Sequence, residues 1–105
     1  MIINVVTTID DKERLELICR ELLEKKLVAC AQILGPIKSI YRWNGVLEET
    51  EEWMGLMKTR IDLYDAVEKE IKALHPYELP EIAALDVTHI LSAYGQWVID
   101  ETATK

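Results

Sequence analysis

Groups able to bind a soft or borderline metal ion are scarce in this chain, which makes each of them informative. The thiols are Cys19 and Cys30, and the imidazoles are His75 and His89. His75 opens the loop His75-Pro76-Tyr77-Glu78-Leu79-Pro80, held at both ends by prolines that restrict φ, with a phenol and a carboxylate between them, the imidazole just before and the Glu81 carboxylate just after. Thiolate and imidazole together favour copper or zinc over magnesium. Candidate metal ligands are therefore His75 and Cys30, with His89, Glu78 and Glu81 as further donors. None has a spacing that specifies a metal by itself, and each has a structural reading. Cys30 reads as a small core residue and His75 as a hydrogen-bonded loop cap, and for both the structural reading is the stronger. Cys19 lies on the apolar stripe of a helix and reads as core. Trp43, Lys58 and Tyr77, with Glu78 and Glu81, are candidates to line a cleft between subunits. Packed loop anchor, hairpin-tip contact and strand-end charge are the alternatives for Tyr77, Trp43 and Lys58.

The run Glu48-Glu49-Thr50-Glu51-Glu52 is acidic, but alternation along a strand sends neighbouring carboxylates to opposite faces. It reads as a solvated arm kept from aggregating by charge. Signatures of common catalysis are missing. The four glycines are isolated, so no phosphate-cradling loop is present. HExxH, GxSxG and paired zinc-ligand histidines do not occur. Two serines and two histidines leave little room for a hydroxyl-based triad. The expectation is a protein that is not an enzyme, with no obligatory cofactor and copper or another divalent metal as a possible ligand.

These residues must be positioned by a small set of elements. Asn44-Gly45, between two β-rich runs, predicts a type I′ hairpin, because both central residues of that turn need φ > 0. The turn sets Trp43 against Val46, Arg42 against Leu47 and Lys38 against Glu51. The first arm, Ala29 to Trp43, could extend roughly 50 Å at about 3.3 Å per residue. A body of this chain length is only about 33 Å across, from a radius of gyration near ~13 Å. The arm must bend, with Gly35-Pro36 as the natural place, or overhang and seek a partner. Ile2 to Thr8 reads as a central strand. A helix follows to about Lys26, with Asp10 as N-cap, Glu13 in the capping-box position, and a stripe of Leu15, Ile18, Cys19, Leu22 and Leu23. A second helix spans about Ile61 to Leu74 and stops before Pro76. Glu81 to Thr88 reads as a strand. A short last helix carries Leu91, Tyr94, Trp97 and Val98, capped by Thr88 or Ser92. Thr102 to Lys105 should fray.

Strand, helix, strand, strand, helix, strand is the order of an α+β, ferredoxin-like βαββαβ fold, here with a long hairpin and a C-terminal helix. One domain over residues 1–105 is expected from the length, and half the residues are apolar. A net charge of −7 and no basic run argue against nucleic acid. No apolar run reaches membrane-spanning length and the N-terminus does not resemble a secretory signal, so a cytoplasmic protein with free thiols is expected. The sheet face left bare by two helices, like the hairpin, asks for neighbouring subunits and predicts a homo-oligomer.

Four segments also resemble a known family. Leu27-Val28-Ala29-Cys30-Ala31, Ser39-Ile40-Tyr41-Arg42-Trp43-Asn44-Gly45, Lys58-Thr59 and His75-Pro76-Tyr77-Glu78-Leu79-Pro80-Glu81-Ile82 are similar to the CutA family of divalent-cation tolerance proteins, as is Tyr94 to Val98. The resemblance covers nearly the whole chain. It implies a homotrimer built like PII signalling proteins and a role in the response to metal ions, copper included; separately, a charged fraction of 30% and the apolar surface a trimer would bury predict high thermal stability. A trimeric signalling or scaffold protein, binding a small anion or a protein in the inter-subunit cleft, is the alternative. Animal relatives are linked to anchoring of acetylcholinesterase. Metal sites proposed in some members use a first-strand cysteine and a histidine pair before Pro-Tyr. Those positions carry Thr7 and Leu74 here, leaving His75, with Cys30 as the motif cysteine. Arg42 replaces a second aromatic at the hairpin tip.

Overall fold

The innermost strand is the most apolar one. In the computed structural model, which describes residues 1–103, β1 (Ile2–Ile9) has every residue buried except the half-buried Asn4. It pairs antiparallel with β3 (Val46–Arg60) from Ile2↔Arg60 to Ile9↔Trp53, and with β4 (Ile82–Asp86) on its other side. β2 (Cys30–Trp43) pairs with β3, giving the order β2-β3-β1-β4, so β2 and β4 are the edges. This is the α+β ferredoxin-like arrangement expected from the order of elements.

The hairpin register is the one Asn44-Gly45 demands. Trp43 pairs with Val46, Arg42 with Leu47 and Lys38 with Glu51, while Asn44 and Gly45 have φ of 50° and 77°. The register shifts between Leu34 and Ile37, and the Gly35–Pro36 peptide is cis. A Cβ on Gly35 would stand 2.4 Å from the Trp53 ring, so only glycine lets the ring close over the bend. The shift also exchanges faces. Cys30, Gln32 and Leu34 share a face with Lys58, Leu56 and Met54, but beyond the bend the odd residues Ile37, Ser39 and Tyr41 continue that face. Because β1 ends at Ile9, opposite Trp53, the hairpin from Ile37 to Glu52 overhangs the sheet, and the long axis of the molecule reaches 44 Å.

α1 (Lys12–Glu24) and α2 (Tyr64–Leu74) cover one face, with a 3-10 turn at Ile61–Leu63 leading into α2. Leu15, Ile18 and Leu22 of α1 and Val67 and Ile71 of α2 pack on Ile3, Val5, Ile9 and Met57. Gly55 marks a close approach, since a Cβ there would meet Leu15 Cδ1 at 3.0 Å. Three local expectations are corrected. The N-cap of α1 is Asp11, whose side chain accepts from the Arg14 amide at 3.1 Å, so the chain enters the helix one residue later than Asp10. Leu23 falls off the buried stripe and is 39% exposed. α3 (Ser92–Asp100) has Leu91 at its N-cap with no side-chain bond, so neither Thr88 nor Ser92 caps it.

The opposite face is not wholly bare. Val98 of α3 joins Ile2 and Ala29 in a second small cluster at one end, with Tyr94 beside it. The rest of that face carries Leu34 and Leu85, 53% and 62% exposed. The expected fraying begins at Thr102, yet Thr102 is buried and donates to the carbonyls of Val98 and Ile99, while Ala103 N–H bonds the Lys26 carbonyl at 2.7 Å. Residues 104 and 105 of that expectation lie outside the described residues.

Candidate functional site

Proline ends α2 and starts the segment that builds the site. His75 is the C-cap, in an extended conformation, because Pro76 excludes the helical region for the residue before it. His75 is buried, and both its nitrogens are used. Nε2–H donates to the Thr8 carbonyl at 2.8 Å, and Nδ1 accepts the Tyr77 amide at 3.1 Å. That pair of bonds defines the Nε2–H tautomer. The ring also meets Tyr77 edge-on at 4.6 Å. Further on, the Thr7 hydroxyl donates to the Glu81 carbonyl at 2.7 Å and the Thr8 hydroxyl to Glu81 Oε1 at 3.4 Å. The 75–81 segment is thus lashed to the end of β1 at both its ends.

From that platform Tyr77 reaches the hairpin. Its hydroxyl donates to Glu52 Oε2 at 2.7 Å, tying the loop to β3 at the point where the overhang begins. Burial, and next the Glu52 carboxylate, push the Tyr77 phenol well above its usual range, so it stays a donor. Glu52 is only 5% exposed. This corrects the reading of Glu48–Glu52 as a uniformly solvated arm. Glu48, Glu49 and Glu51 are exposed, but the segment 75–81 folds over Glu52. Between that segment and the hairpin lies a cleft of about 890 Å³. Asp10, Glu48, Glu52, Glu78 and Glu81 supply its carboxylates. Tyr41, Trp43 and Tyr77 supply its aromatic walls.

Of the residues singled out from sequence, Trp43, Tyr77, Glu78 and Glu81 meet in this cleft, and Lys58 does not. Lys58 lies farther down the sheet, paired with Cys30 on one side and Asn4 on the other, its ammonium donating to Gln32 at 3.5 Å. The Asn4 Oδ1 atom there is buried and has no hydrogen-bond partner among the described residues. Cys30 contacts the Tyr94 hydroxyl at 3.5 Å, a bond that heads the causes raising the Tyr94 pKa. Asn4 and Thr8 are four residues apart on β1, so Cys30 and His75 belong to opposite ends of the sheet, on the order of 13 Å apart along the strand. One chain does not bring the two candidate metal ligands together. Among the described residues no group of three or more His, Cys, Asp or Glu side chains could hold a metal ion. His89 is exposed and bonded to the Thr88 hydroxyl. Cys19 is buried among Leu15 and its neighbours, which pushes its thiol up to about 11. Both cysteines are free thiols.

Glu52, Tyr41 and Asp10 were not legible as site residues. Their convergence depends on the 75–81 segment crossing to the hairpin, and no local pattern encodes that crossing.

No helix among the described residues is long and apolar enough to cross a membrane. A family model, the CutA1 divalent ion tolerance protein, matches residues 3–101. The divalent-cation tolerance protein CutA of Pyrococcus horikoshii is 40% identical over 95% of this chain and 97% of its own length. The solved divalent cation tolerance protein of Thermus thermophilus superposes with a TM-score of 0.95 at 35% identity, covering 98% of this chain and all of that one. A CutA structure from Archaeoglobus fulgidus, described as periplasmic, gives 0.93 at 36% identity over 96% and 98% of the two chains. Fold, length and sequence agree, and the chain belongs to the CutA1 divalent ion tolerance family.

Proposed function

We propose that this chain acts in metal-ion tolerance as a non-catalytic homotrimer, a single PII-like domain per subunit, that takes a divalent or cuprous ion weakly. The observation that carries the reading is the family match across residues 3–101. The free edges of β2 and β4 and the open face around Leu34 and Leu85 support the trimer. Its subunits would clasp through the overhanging hairpin and share the cleft walls of Trp43, Tyr77, Glu78 and Glu81. With a large apolar interface, the trimer should melt above the ordinary range of about 45–65 °C. Two free thiols suit a reducing compartment and a cytoplasmic protein.

Cys30 is the ligand with the better claim, because the residue is half-buried and its sulfur's contact with the Tyr94 hydroxyl, at 3.5 Å, is longer than either bond of the His75 ring. An ion at His75 must displace either the Thr8 carbonyl or the Tyr77 amide from the ring. Weak binding, with ligands drawn from more than one subunit, follows from that competition. Calorimetric titration of Cu(I), Cu(II) and Zn(II) against a chelator tests the assignment. One ion per chain or per trimer is expected, with at least tenfold loss in Cys30→Ala and a smaller loss in His75→Ala. Equal binding by both variants and the parent would move the ligands elsewhere. No binding tighter than millimolar by the parent would end the metal reading.

A second reading keeps the trimer and gives it a small anion or a protein partner. Lys58 favours it, since among the described residues its ammonium has one hydrogen-bond partner, the neutral Gln32 at 3.5 Å. A thermal shift with nucleotides or inorganic phosphate, abolished in Lys58→Gln, would support this reading over the first.

A further inference from the structure

The two asparagines of this chain stand at opposite extremes of the fold. Asn4 lies on the central strand β1, paired with Lys58 on one side and Leu85 on the other, and is followed by the fully buried, β-branched Val5. Asn44 is exposed at the free end of the overhanging hairpin and is followed by Gly45. The turn accounts for both residue types through their φ of 50° and 77°. It does not engage the Asn44 side chain, whose amide makes no hydrogen bond among the described residues.

The side-chain carbonyl carbon of an asparagine is an electrophile, and the nucleophile nearest to it along the chain is the main-chain nitrogen of the next residue. Asparagine is thermolabile wherever the two can meet. Gly45 leaves its nitrogen unhindered, and a Cβ built there would meet nothing within 4 Å, so the tip has room to rotate. Opening the turn breaks only the end of a two-stranded ladder, whose closing residues Trp43 and Val46 are 41% and 56% exposed. At Asn4 the same rotation would pull β1 from both its neighbours, and the Val5 side chain crowds the nitrogen. We propose that Asn44 is a site of self-modification, which closes onto Gly45 and reopens as isoaspartate, loosening the tip of the arm. The Gly45 nitrogen gives its proton to solvent base and bonds to Asn44 Cγ. The Cγ–Nδ2 bond breaks, and Nδ2 takes a proton from water and leaves as ammonia. Water then opens the cyclic imide. Attack at the α-carbonyl carbon breaks its bond to the Gly45 nitrogen, so the main chain now runs through Cβ and Cγ, one carbon longer, and a new carboxylate hangs from Cα. A two-residue turn with that extra atom no longer fits the Trp43–Val46 pairing. The inference rests on the turn, and on neither the metal reading nor the trimer.

Peptide mass mapping of the full chain, held at 37 °C and pH 8.5 and sampled over two weeks, tests the proposal. The expected result is the mass gain of amide-to-acid conversion at Asn44, at least tenfold faster than at Asn4, with isoaspartate as the main product. Asn44→Gly removes the electrophile and keeps a Gly-Gly pair, which also suits the positive φ angles of the turn. Hydrogen exchange reads the consequence. Segment 41–48 of the incubated parent should exchange several-fold faster than in fresh protein, while the same incubation leaves Asn44→Gly unchanged. Conversion at Asn44 no faster than at Asn4 would overturn the proposal, and is the result expected if a second copy packs over the tip. Conversion that leaves exchange in segment 41–48 as it was would also overturn it. So would an equal mass gain in that segment of Asn44→Gly, which would place the chemistry on another residue.

Discussion

One ladder, β2 with β3, runs through two regions held by different forces. At its base, from Cys30 to Leu34 against Met54 to Lys58, the strands are backed by β1 and roofed by α1 and α2, and Met57 is fully buried. Past Gly35–Pro36 the same two strands stand alone, and Ile40, Val46 and Leu47 are 58%, 56% and 65% exposed. The base is stabilised by removing apolar surface from water, about 25 cal/mol per Å². Beyond its foot at Glu52, the arm relies on ladder hydrogen bonds and cross-strand pairs such as Lys38 opposite Glu51, each worth about 0.2–1 kcal/mol. A two-stranded arm is marginal by itself, so its apolar residues make sense as half of a contact. The cleft sits where the two regions meet, with Tyr77 as the tie between them.

The contrast can be broken from the base first. Leu22→Ala removes a fully buried side chain between helix and sheet and should cost about 2–5 kcal/mol, read as a fall of more than ~10 °C in melting temperature. A fall of under ~4 °C would mean that the core is not where the stability lies. The arm should respond differently. Ile40→Asp with Leu47→Asp touches no buried core, so circular dichroism should be unchanged while light scattering reports a drop from the proposed trimer to a monomer. A trimer that survives the double substitution would remove the arm from assembly. At the seam, Tyr77→Phe leaves Glu52 buried without its donor and should cost about 1.5–3 kcal/mol by urea unfolding. A change below ~0.5 kcal/mol would show that the tie is not needed.

The smallest effect expected is alkaline. Tyr64 is raised from 10.0 to about 12, by burial first and then by its bond to Glu68, and Tyr77 is raised as well. A phenol whose folded pKa lies above its unfolded value binds more protons in the folded state. Its stabilisation is whole below about pH 10 and is lost as pH rises toward the folded value. Melting temperature should therefore fall from pH 10 to 12, and Tyr64→Phe should flatten that fall. An unchanged slope in the variant would put the alkaline loss on other groups, Tyr77 and Cys19 being the next candidates.

Much of the fold was legible because it rests on local rules. Asn44-Gly45 dictates a hairpin register through its φ angles, and Pro76 ends α2 at His75. The apolar stripe places α1 on the core, although the cap moved from Asp10 to Asp11, a boundary that side-chain geometry decides and composition does not. His75 as a hydrogen-bonded cap was also readable, from the proline that follows it. The candidate site was less legible. Trp43, Tyr77, Glu78, Glu81 and Lys58 were grouped for a cleft between subunits; within one chain the first four line a single cleft and Lys58 lies farther down the sheet.

By itself the sequence determined what depends on neighbours along the chain: the period-2 and helical patterns, the turn, the bend at Gly35–Pro36, the breaks at proline and the acidic balance. Tertiary structure alone decided which of several similar glutamates is buried. Glu48, Glu49, Glu51 and Glu52 are chemically alike and differ by a few strand positions, but only Glu52 lies beneath the 75–81 segment within reach of Tyr77. That contact spans 25 residues of chain. It exists because the β3–β1–β4 pairing carries the end of β1 to the foot of the hairpin, where His75 and Glu81 anchor the segment that crosses it.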